Sequence, residues 1–217
     1  MFETCPLLEE IPWIKHGFFS ADITHTMIGI EPYKEYPRTL FLKQTHSDKI
    51  LTDINNDQEA DASITNETGL ALAIKTADCC PILLVCTDTK EIAVVHAGKL
   101  GAANRIASKT VEQLIHNGAK PENIIAAIGP CIHQETYVVQ DDMRDLFVND
   151  QLEALKHFIR FEDRWKMDVP GIVKQQLKNI GVGEMWQSPI NTFTDPRFAS
   201  YRKDKTTLRN VSLIVKI

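Results

Sequence analysis

The sequence predicts a mixed α/β or α+β fold with helices covering sheet faces, and three observations carry that expectation. Short β-type runs recur along the chain, helical periodicity appears between only some of them, and no linker, low-complexity tract or repeat interrupts the 217 residues. With 43% hydrophobic and 24% charged residues, a chain of this size hides roughly 70% of its unfolded surface on folding, enough for a core without staples. At roughly 150 residues per domain the length admits one large domain or two small ones. The lack of any compositional boundary favours a single domain over residues 1–217.

Taken in order, strands are expected at WIKHGFF (13–19), TLFLKQT (39–45), KILTDI (49–54), LALAIKT (70–76), ILLVCTD (82–88), EIAVVHA (91–97), NIIAAIG (123–129) and VSLIVKI (211–217). Several are β-branched and bounded by turn residues, as strands are. Between Gly101 and Gly118, Ile106, Val111, Leu114 and Ile115 share one helical stripe, and Gly118 stands where a glycine closes a helix. From Asp141 to about Ile159, Met143, Leu146, Phe147, Leu152, Leu155, Phe158 and Ile159 recur at helical spacings, with room for a break near Asn149 and Asp150. The last helix begins at Asp168, whose carboxylate can cap VPGIVKQQLKNIG; Pro170 is tolerated early in it and Gly181 ends it.

Composition excludes several function classes. Five cysteines, Cys5, Cys79, Cys80, Cys86 and Cys131, are an odd and sparse set, which argues against a disulfide framework and for reduced thiols in a cytoplasmic setting. The opening MFETCPLLEEIPWIKHG has no basic stretch before an apolar one, and nowhere do about 18 apolar residues run together, so neither secretion nor membrane spanning is expected. A formal charge of −5 and a pI near 5.8 disfavour nucleic acid as a partner.

Three segments place a soft or nitrogenous donor at the edge of an expected strand: His46 in KQTHS, Cys79 in TADCCP and His96 in VHAG. One thiolate and two imidazoles suit zinc, and three protein donors leave the fourth tetrahedral position open, as in a catalytic site. Their separations match no fixed zinc spacing, so the residues alone leave other readings standing. A free Cys is more often a small buried hydrophobe than a ligand, and a histidine ending an apolar run is more often hydrogen-bonded core. Gly98 and Gly101 before a helix form neither a P-loop nor a dinucleotide fingerprint. His16, His25, His116, His133 and His157 have no partner visible in sequence and are read as surface or structural.

An ordered set of residues adds to this: Gln44, Thr45, His46 and Ser47; Ala60, Asp61 and Ala62 with Thr65 and Gly69; Ala77, Asp78 and Cys79 with Pro81; His96, Ala97 and Gly98 with Gly101; Ile128 through Ile132; Tyr137; and Ser200, Tyr201 and Arg202. Over residues 13 to 217 this set resembles the laccase-domain, or multicopper polyphenol oxidase, family, whose members are regarded as purine-nucleoside phosphorylases. The resemblance implies a single-domain layered sandwich with a catalytic zinc held by His46, Cys79 and His96. It also implies phosphorolysis of adenosine, inosine and 5′-methylthioadenosine with phosphate as co-substrate, and adenosine deamination as a companion reaction. Zinc lowers the pKa of bound water towards about 7, which suits attack at purine C6. Phosphorolysis instead needs positioning and electrostatics. For that, Arg202 in the Ser-Tyr-Arg element is the best-matched basic residue and Arg209 a weaker one, with Gln44 and Asp78 as further substrate-site candidates. Copper could occupy the same three donors, but a multicopper oxidase needs more histidine ligands than seven histidines supply once the unmatched ones are set aside.

The chain departs from the family pattern around these donors. The usual Trp-Arg-Gly after His-Ala-Gly is Lys99, Leu100 and Gly101; Ala21 stands where Arg is common; Val138 replaces Glu, Asn191 replaces Cys, and Leu208 replaces Gly. Lysine is a point charge on a flexible stem and reproduces neither bidentate phosphate binding nor planar stacking. Two further readings therefore stay open: a thiol hydrolase with Cys79 as nucleophile and His96 as base, and a divergent member that binds a nucleoside without turnover.

Overall fold

The computed structural model describes residues 2–21, 38–53, 59–149 and 151–217; His25, Ile54 and Asp150 lie outside them. The first strands are β1 (Phe2–Glu3), β2 (Ile14–Phe19), β3 (Arg38–Phe41), β4 (Ile50–Leu51), β5 (Ala62–Thr65), β6 (Leu70–Thr76), β7 (Cys80–Cys86) and β8 (Ile92–Ala97), with a short helix α1 (Pro6–Glu9) between the first two. After β8 come α2 (Lys99–Ala103), α3 (Ile106–His116), β9 (Ile124–Ile128), β10 (Val138–Val139) and α4 (Asp141–Asp145). The chain closes with β11 (Phe158–Phe161), β12 (Arg164–Met167), α5 (Val169–Ile180), β13 (Glu184–Gln187), α6 (Tyr201–Asp204) and β14 (Asn210–Lys216).

These strands form a five-stranded sheet in the order β1-β2-β14-β6-β3, a six-stranded sheet β13-β9-β7-β8-β5-β4 and a small sheet β10-β12-β11. The first two are mixed, with β3 parallel to β6, β13 to β9 and β4 to β5. The central strands read as unbroken apolar runs because both their faces are covered. Leu83, Val85 and Val94 of the six-stranded sheet pack on Leu72, Ile74 and Ile214 of the five-stranded one. On its other face Ile82, Leu84 and Val95 meet Ile106, Val111 and Leu114 of α3 and Ile172, Val173 and Leu177 of α5. The result is a helix layer over two stacked sheets, the layered mixed fold that the sequence predicts.

Asp168 caps α5 by accepting from Gly171 N at 2.9 Å, and Gly181 ends that helix in the left-handed region at φ 93°. Gly118 follows α3 at φ 112°. Three expectations need correction. The helix between Gly101 and Gly118 is two pieces, because Arg105 takes a left-handed conformation (φ 59°) between α2 and α3. The helix from Asp141 to Ile159 stops at Asp145; Leu152–His157 is a 3-10 segment, and Phe158 and Ile159 belong to β11, paired with Met167 and Lys166. Cross-strand pairing with β12 decides there, and it leaves Phe158 buried and Ile159 54% exposed. The strands expected at 39–45 and 49–54 end at Phe41 and Leu51, and residues 42–49 between β3 and β4 instead form the loop that carries His46.

Candidate metal centre

Cys79 lies in the turn that takes the chain from β6 in one sheet to β7 in the other, and His96 lies near the end of β8. In the β7–β8 ladder, Cys80 faces Ala97 and Pro81 faces His96. The thiol just before β7 is thereby brought beside the imidazole. The donor atoms of His46, Cys79 and His96 all lie within 4.8 Å of one another, the one such group of three among the described residues. Cys79 Sγ is 3.8 Å from His46 Nε2, and the two imidazole rings meet edge to face with centroids 4.9 Å apart.

A zinc ion with Zn–S of about 2.3 Å and Zn–N of about 2.05 Å would set a tetrahedral N···S edge of about 3.6 Å. The observed separation fits. His96 is buried, Cys79 half-buried and His46 exposed, so the group opens to solvent on the His46 side. Gly98 floors it: a Cβ there would lie 2.9 Å from His46 Cδ2 and 3.0 Å from Cys79 Sγ.

Behind the donors stands Asp61, fully buried just before β5. Its carboxylate accepts from Thr45 N (3.2 Å), His46 N (3.1 Å), Ser47 N (2.6 Å), Ser47 Oγ (2.7 Å) and His96 Nδ1 (2.7 Å). Burial opposes its ionisation, yet the hydrogen bonds from His96 and Ser47 outweigh that and hold the carboxyl far below the usual range. Burial likewise disfavours charge on Cys79, but the neighbouring His96 and His46 hold its thiol below its ordinary value. For His96 desolvation is overcome by the Cys79 thiolate and by Asp61, which together raise it. The three donors thus stand against a single buried carboxylate, Asp61.

A second group adjoins Cys79. Asp78, in the left-handed region at φ 91°, accepts from Thr192 Oγ1 at 2.8 Å and from Arg202 N at 2.6 Å. The Arg202 side chain donates from Nη1 to Val138 O at 2.8 Å and lies 4.8 Å from the Tyr137 ring centroid. Burial first, then the nearby Cys79 thiolate, pushes the Tyr137 hydroxyl up to about 12. Gln44 pairs through its amide with Lys75 N and O, both at 2.8 Å, which props the His46 loop on β6. Arg209 donates to Thr206 O and Leu208 O within its own turn. Asp61 and Tyr137 also adjoin the donors, although their residue types alone assign them no site role. The sequence carries one signal for Asp61, a lone carboxylate between Ala60 and Ala62 ahead of a buried strand.

The remaining described histidines are placed apart from the three donors. His16 is buried and accepts from Cys5 N at 2.8 Å, His116 is exposed at the end of α3, His133 Nδ1 lies 3.9 Å from Glu135 Oε1, and His157 Nδ1 lies 3.2 Å from Asp168 Oδ2.

The multi-copper polyphenol oxidoreductase laccase family matches this chain over residues 26–216. The chain belongs to that family. Among similar proteins, a purine nucleoside phosphorylase of Rickettsia prowazekii is 35% identical over 197 residues, 87% of this chain and 80% of that one. The purine nucleoside phosphorylase YfiH of Escherichia coli is 33% identical over 181 residues, 82% of this chain and 73% of that one. The crystal structure of the hypothetical protein YfiH of Bacillus licheniformis superposes with a TM-score of 0.87 at 24% identity, covering 96% of this chain and 95% of its own, and so shares the fold.

Proposed function

We propose that this protein is a purine-nucleoside phosphorylase whose active site is the centre formed by His46, Cys79 and His96. Zinc is the resident metal in this reading, phosphate the co-substrate, and deamination of adenosine a companion reaction. What carries it is the convergence of those three donors in a member of a family whose relatives bear the phosphorylase name. Bound zinc would supply Lewis acidity and lower the pKa of a water at the open side of the site. In phosphorolysis a phosphate oxygen bonds to ribose C1′ as the bond from C1′ to the purine nitrogen breaks, and the purine leaves after gaining a proton. The chain's own contribution is placement and charge. Arg202 is the cation assigned to phosphate: Val138 O and the Tyr137 face aim its guanidinium, and the fork has more donors than those contacts use. Asp78 ties the Cys79 turn to Arg202, and Gln44 anchors the His46 loop. Five free cysteines support a cytoplasmic setting.

The test is chromatography of adenosine, inosine and 5′-methylthioadenosine incubated with phosphate and metal-replete protein. Free purine is the expected product, and its absence for all three would end this reading.

One observation favours a second reading. His96 bonds to Asp61 through Nδ1 and has the Cys79 thiol within 4.8 Å, the order of nucleophile, base and orienting carboxylate used by thiol hydrolases. About one equivalent of zinc per chain, lost on Cys79→Ser, would count against it.

A further inference from the structure

We infer that Asp61 is the positioning residue of the metal centre: one carboxylate that fixes both the loop bearing His46 and the ring of His96, so that metal affinity depends on a group outside the three donors. The inference deepens the reading of the centre as a zinc site and rests on it. Three observations carry it.

First, a single oxygen joins the two ligands, since Asp61 Oδ1 accepts from both His46 N and His96 Nδ1. The other oxygen takes Thr45 N and both the backbone and hydroxyl of Ser47. Second, His46 sits at φ 59°, a left-handed conformation that residues other than glycine seldom adopt without something to hold them. Three successive backbone N–H groups turned onto one anion supply that hold. Third, Asp61 grips His96 twice, because its own backbone carbonyl accepts from His96 N at 2.7 Å. A bond to Nδ1 leaves Nε2 as the nitrogen for metal.

A fully buried carboxylate is costly unless compensated. Here the compensation comes from the segment bearing one ligand and from the ring of another. An asparagine cannot substitute. Whichever way its amide turns, an NH2 donor meets the donors already aimed at that oxygen.

Zinc affinity of wild-type protein and of Asp61→Asn is measured by competition with a chromophoric chelator, and the variant is expected to bind about 10- to 100-fold more weakly. In parallel, NMR of wild-type protein should show the His96 Nδ1 proton far downfield and slow to exchange, with and without zinc. This arm needs no variant and so survives a failure of Asp61→Asn to fold. Equal zinc affinity in the two proteins overturns the inference while leaving the zinc reading intact, and so does a freely exchanging Nδ1 proton. A wild-type protein that binds no zinc defeats the zinc reading instead, and the His96 resonance still decides whether Asp61 holds the ring.

Discussion

Replacing Gly98 with alanine puts one methyl group against two donors and nothing else of consequence. The backbone there, φ −76° and ψ −177°, suits any residue, so conformational strain does not enter. The added Cβ would stand 2.9 Å from His46 Cδ2 and 3.0 Å from Cys79 Sγ, whereas unstrained carbon contacts lie at about 3.5–4.0 Å. Neither neighbour can retreat while ligating. The His46 backbone is tied to Asp61, and Cys79 sits between Asp78, itself held by Thr192 and Arg202, and β7. Overpacking of this kind costs about 1–3 kcal/mol, and at about 1.4 kcal/mol per tenfold the zinc affinity should fall roughly 5- to 140-fold. Without metal the imidazole and thiol can swing aside. Only the exchange of glycine for alanine at the start of α2 then remains, worth about 1 kcal/mol or less. The assay is chelator competition together with thermal melting at zero and saturating zinc. Wild-type zinc affinity in Gly98→Ala, or an equal loss of melting temperature with and without zinc, would refute this account of Gly98.

Four further outcomes follow from the same structure. Cys79→Ser should lose the bound zinc, measured as metal per chain after dialysis, because a neutral hydroxyl is a poor replacement for the thiolate; full retention would remove Cys79 from the centre. Burial pushes His16 from 6.5 down to about 4, so the unfolded chain takes up a proton there that the folded one refuses. The stability this gives is whole above about pH 6.5 and disappears as pH falls towards 4, about 3 kcal/mol in all. His16→Gln should accordingly flatten the loss of urea resistance between pH 7 and pH 4.5, and an unchanged slope would contradict the assignment. Asp168→Ala removes the acceptor for Gly171 N and the partner of His157 and should cost about 1–2 kcal/mol in urea unfolding, with zinc affinity unchanged. Arg202→Lys should raise the KM for phosphate about tenfold with little change in melting temperature; an unaltered KM would leave Arg202 a purely structural tie.

The sequence announced the buried strands clearly. LALAIKT coincides with β6, and EIAVVHA and NIIAAIG bracket β8 and β9 to within a residue, because strands covered on both faces must be apolar throughout. Short edge strands such as β10 and β13 carry no such signal, and β5 is four residues of ASIT. Residues 158–159 satisfied a helical count by coincidence of spacing, and only pairing with β12 shows them to be strand. At the site, the donor types were visible, but their convergence depends on register: Pro81 opposite His96 and Ala62 opposite Val95 are facts of pairing between segments far apart in the chain. Asp61 was in plain view as a residue, yet its five hydrogen-bond donors come from a loop and a strand that only the fold brings together. Gln44 and Arg209 show another thing that only the fold reveals, since part of each side chain's hydrogen bonding goes to backbone, of Lys75 and of Thr206 and Leu208 respectively.

The most direct test is a crystal structure of zinc-replete protein with diffraction recorded on both sides of the zinc absorption edge. One anomalous peak per chain is expected, about 2.0–2.1 Å from a nitrogen of His46 and of His96 and about 2.3 Å from Cys79 Sγ, with the fourth position open on the His46 side. No peak at that point, or side chains of His46, Cys79 and His96 turned away from one another, would contradict the central claim.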